Sequence, residues 1–204
     1  MALITALDDD SIRIVCEGLC NALEPRIAVA FGSASRGLRE TTQELRQRLR
    51  EQHEAATALC RKVGLRSCKE LREAWRFDCF PDVSVLRHGS STVFLSAVDL
   101  ETLGTLGSVL PALKRLILAT ASPDGVRRLA EGLGAGALPA VDWLDLHGRR
   151  NWLDVHLGDA CASALAAALG RGALPRLQYL RWRGAAISEA GLAALAPSLR
   201  RLRL

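Results

Sequence analysis

Leu110-Pro111-Ala112-Leu113-Lys114-Arg115-Leu116-Ile117-Leu118 is the stretch on which the reading of this chain turns. Leu138-Pro139-Ala140-Val141-Asp142-Trp143-Leu144-Asp145-Leu146 repeats it, and Leu174-Pro175-Arg176-Leu177-Gln178-Tyr179-Leu180-Arg181-Trp182 repeats it again. Each restart leads through a short apolar strand and a turn into an Ala-, Leu- and Gly-rich amphipathic helix. A unit of this kind has an apolar face that only a neighbouring copy can bury, so the self-similarity predicts α/β units stacked side by side. Aligned by residue, Leu113-x-x-Leu116-x-Leu118 matches Val141-x-x-Leu144-x-Leu146, Leu177-x-x-Leu180-x-Trp182 and Leu199-x-x-Leu202-x-Leu204.

This pattern resembles the leucine-rich repeat of the ribonuclease-inhibitor-like type, in which each unit is a strand and a full helix. The resemblance covers about residues 96–204. Ser188-Glu189-Ala190-Gly191-Leu192-Ala193-Ala194-Leu195 is similar to the family's helix start, and Leu157-Gly158-Asp159-Ala160 before Leu165 and Leu169 echoes it. What it implies is a short leucine-rich-repeat solenoid of parallel strands plus helices, expected over residues 78–204 and preceded by an all-helical segment over 1–77. There are two departures. The restarts lie 28 and then 36 residues apart, against roughly 20–29 for the family. The excess falls in Arg149-Arg150-Asn151-Trp152-Leu153-Asp154-Val155-His156, a loop insertion in which Trp152 is expected to anchor against the next helix or to cover the sheet. The sequence also stops at Leu204, inside the fourth expected strand; such an edge favours self-association unless something covers it.

In such a unit the leucines point to the core and the residues between them point out from the concave sheet. Three lanes result: Arg115, Trp143, Tyr179 and Arg201; Ile117, Asp145, Arg181 and Arg203; and Ala119, His147 and Arg183. An exposed Trp beside an exposed Tyr, flanked by arginines, has the composition of an interaction hot spot. Aromatic cross-strand pairs also simply stabilise sheets. The recognition reading makes Arg115, Trp143, Asp145, His147, Tyr179, Arg181, Arg183, Arg201 and Arg203 the partner-binding set, and the arginines favour an acidic or anionic protein partner.

The N-terminal segment reads as helices with a break at Glu24-Pro25. Asp10 or Ser11 is expected to cap the first helix, and Ile12, Val15, Leu19 and Leu23 fall near helical spacing. Residues 41–63 make the clearest helix, with Leu45, Leu49, Ala56, Leu59 and Val63 as one stripe and Gly64 after its cap. Ser67-Cys68-Lys69-Glu70 reads as a capping box that opens a short helix with Leu71 and Trp75 inward, ending near Phe77. Pro81-Asp82-Val83-Ser84-Val85-Leu86 reads as a degenerate first strand. Leu7-Asp8-Asp9-Asp10-Ser11-Ile12-Arg13-Ile14-Val15, Leu23-Glu24-Pro25-Arg26, Val29-Ala30 and Ser35-Arg36 together resemble an F-box. That resemblance implies docking of a Skp-type adaptor of cullin ubiquitin ligases through Leu7, Ile12, Ile14, Val15, Leu23, Pro25 and Val29, with the repeats holding substrate. The alternative is a plain helical cap on the array, and the chain is then a repeat scaffold or an array fragment.

Composition narrows the remaining classes. No apolar run approaches the ~18 residues of a membrane span, and Met1–Asp10 lacks the positive start of a secretory signal, so a cytoplasmic or nuclear location is expected. Six cysteines (Cys16, Cys20, Cys60, Cys68, Cys79 and Cys161) then read as reduced, packed thiols. Cys16 and Cys20 share a helical face that could join Cys60, Cys68 or His53 around zinc, yet no CxxC pair supports a metal site, and no cofactor is expected. Residues 1–24 carry a net −4, residues 26–76 a net +6 and the rest +3, for +5 in all. The cations are nearly all arginine, which a GC-rich coding background also explains. Clusters such as Arg127-Arg128 and Arg149-Arg150 supply charge, but few aromatic platforms accompany them, so nucleic-acid binding is disfavoured. Catalysis is not expected either. His147, Asp154 and His156 have no nucleophile beside them, and the glycines at 132–136 and 170–172 follow helices, whereas phosphate loops precede them.

Overall fold

The computed structural model describes residues 8–79, 95–119, 122–147, 157–183 and 187–199. The chain divides into two compact units, Met1–Ala58 and Leu59–Leu204. Among the described residues no helix is long and apolar enough to cross a membrane.

The first unit is helical. Helix α1 spans Asp9–Leu19 and is capped by Asp8, not Asp10 or Ser11: Asp8 Oδ1 accepts a 2.7 Å bond from the Ser11 backbone N–H. The cap moves forward because Asp9 and Asp10 already sit in the first turn, where carboxylates favour the exposed N–H groups. Helix α2 (Arg26–Ser33) follows Pro25, and Ser35 caps α3 (Arg36–Thr41). Helix α4 (Gln43–Lys62) begins in this unit and is polar on most of its surface. Among the described residues, Ile12, Cys16, Ala22, Leu23, Ala28, Leu38, Thr42, Leu49 and Ala56 are the buried side chains of the unit. At the far end of α4, Leu65 N–H bonds the Cys60 carbonyl at 2.8 Å and Gly64 takes φ 78°, the expected glycine termination.

The second unit is mixed α/β, built on one parallel four-stranded sheet. After α5 (Cys68–Glu73) come β1 (Arg76–Cys79), α6 (Ala97–Thr105) with a short 3-10 turn to Val109, and β2 (Arg115–Ala119). Then follow α7 (Pro123–Gly132), β3 (Trp143–His147), α8 (Asp159–Gly170), β4 (Tyr179–Arg183) and α9 (Glu189–Leu199). The sheet order is β1-β2-β3-β4 and every pair is parallel. Crossover helices between neighbouring parallel strands are the connection such a sheet requires. Strands β2, β3 and β4 are entered in the same way: Lys114 N–H bonds the Trp75 carbonyl, Asp142 N–H the Lys114 carbonyl and Gln178 N–H the Asp142 carbonyl, all at 2.8–2.9 Å.

Three expectations change. The first strand is Arg76–Cys79, so the expected divide at 77/78 falls inside it; Pro81–Leu86 lies outside the described residues. Trp75, expected inward, is 55% exposed, because α5 ends at Glu73 and the extended cap residue Ala74 removes Trp75 from helical spacing. Leu199 closes α9 and does not open a strand. Arg201, Arg203 and the rest of 200–204 lie outside the described residues, as do Leu7 and the insertion at 149–156.

Two packing devices hold the strand–helix units together. Leu138 and Leu174, the residues before Pro139 and Pro175, adopt φ 53° and 52°, a region L-residues avoid at a cost of about 1–2 kcal/mol. Their side chains are buried, which offsets that cost by about 1.5–3 kcal/mol each, and their N–H groups bond Gly107 O at 2.8 Å and Ala137 O at 2.9 Å. Helices α6 and α7 meet at Gly104 and Gly132, where a Cβ on Gly104 would lie 2.6 Å from the Leu129 carbonyl oxygen. Gly104→Ala is therefore expected to lower the unfolding free energy by about 1–3 kcal/mol in a urea titration. Gly134→Ala, with nothing within 4 Å, is the control and should change it by less than about 1 kcal/mol.

Candidate functional site

The two-residue period of the strands sorts their side chains. Leu116, Leu118, Leu144 and Leu146 are buried on the core side of the sheet. The opposite face carries Arg115 and Ile117 from β2, Trp143, Asp145 and His147 from β3, and Tyr179, Arg181 and Arg183 from β4, aligned in register. The structure thus brings together all described members of the partner-binding set. It also adds Arg76 and Asp78 of β1, paired with Arg115 and Ile117. These two were missed because the short Arg76–Cys79 strand follows a helix with no turn signal between them. Their one legible sign was the apolar Phe77 between two charged residues.

Along the first row, Arg115 Cζ stands 5.5 Å from the Trp143 ring centre, and the Trp143 and Tyr179 rings are 5.1 Å apart at 33°. The result is a cation–aromatic–aromatic stack across three strands, with Tyr179 at its end, 55% exposed. In the second row Asp145 is only 4% exposed, an uncommon state for a carboxylate without partners. Its Oδ1 lies 2.7 Å from His147 Nε2, an approach out of alignment for a hydrogen bond, and its Oδ2 lies 3.8 Å from Arg181. The carboxylate is thus flanked by an imidazole on one side and a guanidinium on the other. Arg76 bonds Asp78 at 2.5 Å, and that bond, together with the charge of Asp78, holds the guanidinium above its ordinary range.

The residues of the F-box resemblance divide. Ile12 and Leu23 are core side chains of the first unit, and Pro25 sits half-buried at the start of α2. Ile14 at 68%, Val15 at 41% and Val29 at 43% are exposed, and Ile27, which the spacing did not single out for docking, is exposed as well. An open polar groove in the same unit, lined by Asp9, Asp10, Glu44 and Arg48 among others, carries both signs of charge.

The thiols are chemically quiet. Burial, then the neighbouring Cys68, pushes Cys60 up to about 12; burial, then Cys16, pushes Cys20 up to about 11. Both stay protonated at neutral pH, so neither is a nucleophile there. Cys161, also raised by burial, donates to the Pro123 carbonyl at 3.3 Å. His53 Nδ1 is engaged by the Ala22 carbonyl at 2.7 Å. The glycines once weighed as phosphate cradles close helices: Gly132 ends α7 and Gly170 ends α8.

No family profile, curated protein or solved structure matches the chain. The site must be read from its own geometry, and its keystone is Asp145. Asp145→Ala removes the carboxylate that lies between His147 and Arg181, and a thermal or urea melt should show a loss of about 1–3 kcal/mol. Unchanged stability would mean that the carboxylate does not organise the face.

Proposed function

We propose that this chain is a non-catalytic protein-recognition module of leucine-rich-repeat type, and that its partner lies on the sheet face of Arg115, Trp143, Asp145, His147, Tyr179, Arg181 and Arg183. The observation that carries the reading is the Arg115–Trp143–Tyr179 row. Three strands in register present two stacked aromatic rings and a guanidinium, with the terminal ring more than half exposed. Large, rigid side chains of this composition concentrate binding energy, because they cover much apolar area at a small entropic cost. The strand–helix alternation, the matching strand entries and the leucine register support the repeat assignment. A photo-crosslinking residue at Arg183 should capture the partner, while one at Arg127 on α7 should not. Trp143→Ala plus Tyr179→Ala should weaken the captured partner by at least about tenfold. An unchanged affinity in the double variant overturns this reading.

A second function is supported by the first unit. Ile14, Val15 and Val29 are apolar and exposed on α1 and α2, which suits docking of a Skp-type adaptor and makes the chain a substrate-receptor subunit of a cullin-type ubiquitin ligase. Co-expression with such an adaptor should give co-elution on size exclusion that Ile14→Asp plus Val15→Asp abolishes while circular dichroism stays unchanged. A folded chain that never co-elutes leaves the first unit as a helical cap.

A further inference from the structure

We infer that the partner of the sheet face is an acidic protein segment, one that lays an apolar side chain on the Trp143–Tyr179 pair and sets carboxylates against Arg115 and Arg183. The inference rests on the face being a recognition surface and specifies what it recognises. Its ground is the distribution of charge. Both carboxylates of the face are engaged from within: Asp78 by Arg76, and Asp145 by His147 and Arg181. Asp145 is also too buried to reach a partner's cation. Among the described residues no ion pair reaches Arg115 or Arg183, and both are exposed. What the face offers outward is therefore positive at two diagonal corners, Arg115 and Arg183, with the Trp143–Tyr179 pair completing the row that starts at Arg115 and the buried Asp145 at the midpoint of the diagonal. Docking a basic or neutral segment there would leave two guanidiniums desolvated without counter-charge, which opposes binding.

The spacing sets the form of the segment. Arg115 and Arg183 stand two strands apart and four residues offset along the strands. With strands about 4.8 Å apart and about 3.3 Å of rise per residue, their Cα atoms lie roughly 16 Å from one another. The direct line crosses Asp145, whereas a route along the aromatic row and then along β4 measures about 10 Å plus about 13 Å; an extended segment covers it with about seven residues, so acidic residues near its two ends with an apolar one over the rings match it.

Single-stranded nucleic acid also carries negative charge, and stacking on aromatic rings is how such strands bind open sheets. Here the ring faces are occupied: Trp143 has Arg115 over it and Tyr179 beside it, at 5.5 and 5.1 Å. Only the outer face of Tyr179 is left for a base, so the geometry favours side chains that pack on ring edges.

The test is selection of a random peptide library displayed on phage against the full chain, followed by fluorescence anisotropy of the selected peptides. Acidic peptides with an apolar residue between the acids are expected, and their affinity should fall with added salt. Arg115→Glu plus Arg183→Glu should weaken them at least about tenfold and restore binding to versions with Lys in place of the acids. Arg115→Gln plus Arg183→Gln serves if circular dichroism shows that charge reversal disturbs the sheet. Neutral or basic peptides that need Trp143 and Tyr179 would overturn the acidic partner while leaving the recognition face standing. Peptides indifferent to Trp143 and Tyr179 would overturn the face itself. Failure to select any peptide, or tighter binding of oligouridine through Arg115 and Arg183, would overturn the inference in favour of no peptide partner or of nucleic acid.

Discussion

The register Arg115↔Trp143↔Tyr179 governs the rest of the second unit. In a parallel sheet a shift of one residue exchanges every inward side chain for an outward one. Slipping β3 by one position would put Leu144 and Leu146 on the outer face and bury Trp143 and His147 among the helices. The pairing is held against that slip by the leucines themselves, which lose their burial if it occurs, and by the repeated entry bonds from Lys114, Asp142 and Gln178 to the preceding chain segment. The outer face is thus a by-product of core burial: whatever stands between the leucines is displayed, in rows.

Held this way, the turns before the strands accept strain. A leucine at positive φ is a poor local choice, yet Leu138 and Leu174 both take it. Each turn must deliver a buried side chain and a backbone donor to the preceding turn at once, with Pro139 or Pro175 limiting the alternatives. The close meeting of α6 and α7 at Gly104 and Gly132 is the same economy on the helix side, where absence of side chains lets backbones approach. Neither device bears on chemistry directly, but both set the pitch at which strands arrive.

The unusual groups of the face stand close together. Its buried carboxylate is flanked by His147 on one side and by Arg181 on the other. Elsewhere in the unit burial raises the Cys60 and Cys161 thiols, which suits them to packing.

Much of this was legible from residue order. The Leu-Pro restarts and the Leu-x-x-Leu-x-Leu spacing determined the strands at 115, 143 and 179, their mutual register and the lanes between them, because a period of two needs no knowledge of neighbours. Helix ends at Lys62 and Gly132 were marked by glycines for an equally local reason. Other features were settled only by tertiary structure. Arg76–Cys79 is a strand because β2 offers it a partner, and four residues have too little local preference to declare it. Asp145 is buried and Tyr179 exposed although both lie on the outward face, since burial there depends on what the adjacent strands and the charges at 147 and 181 place around each residue. Ile12 and Ile14 stand two residues apart in one helix, and only the packing of α1 made the first a core residue and left the second exposed. Sequence order determines which side chains can share a face; the three-dimensional neighbours decide which of them meet water.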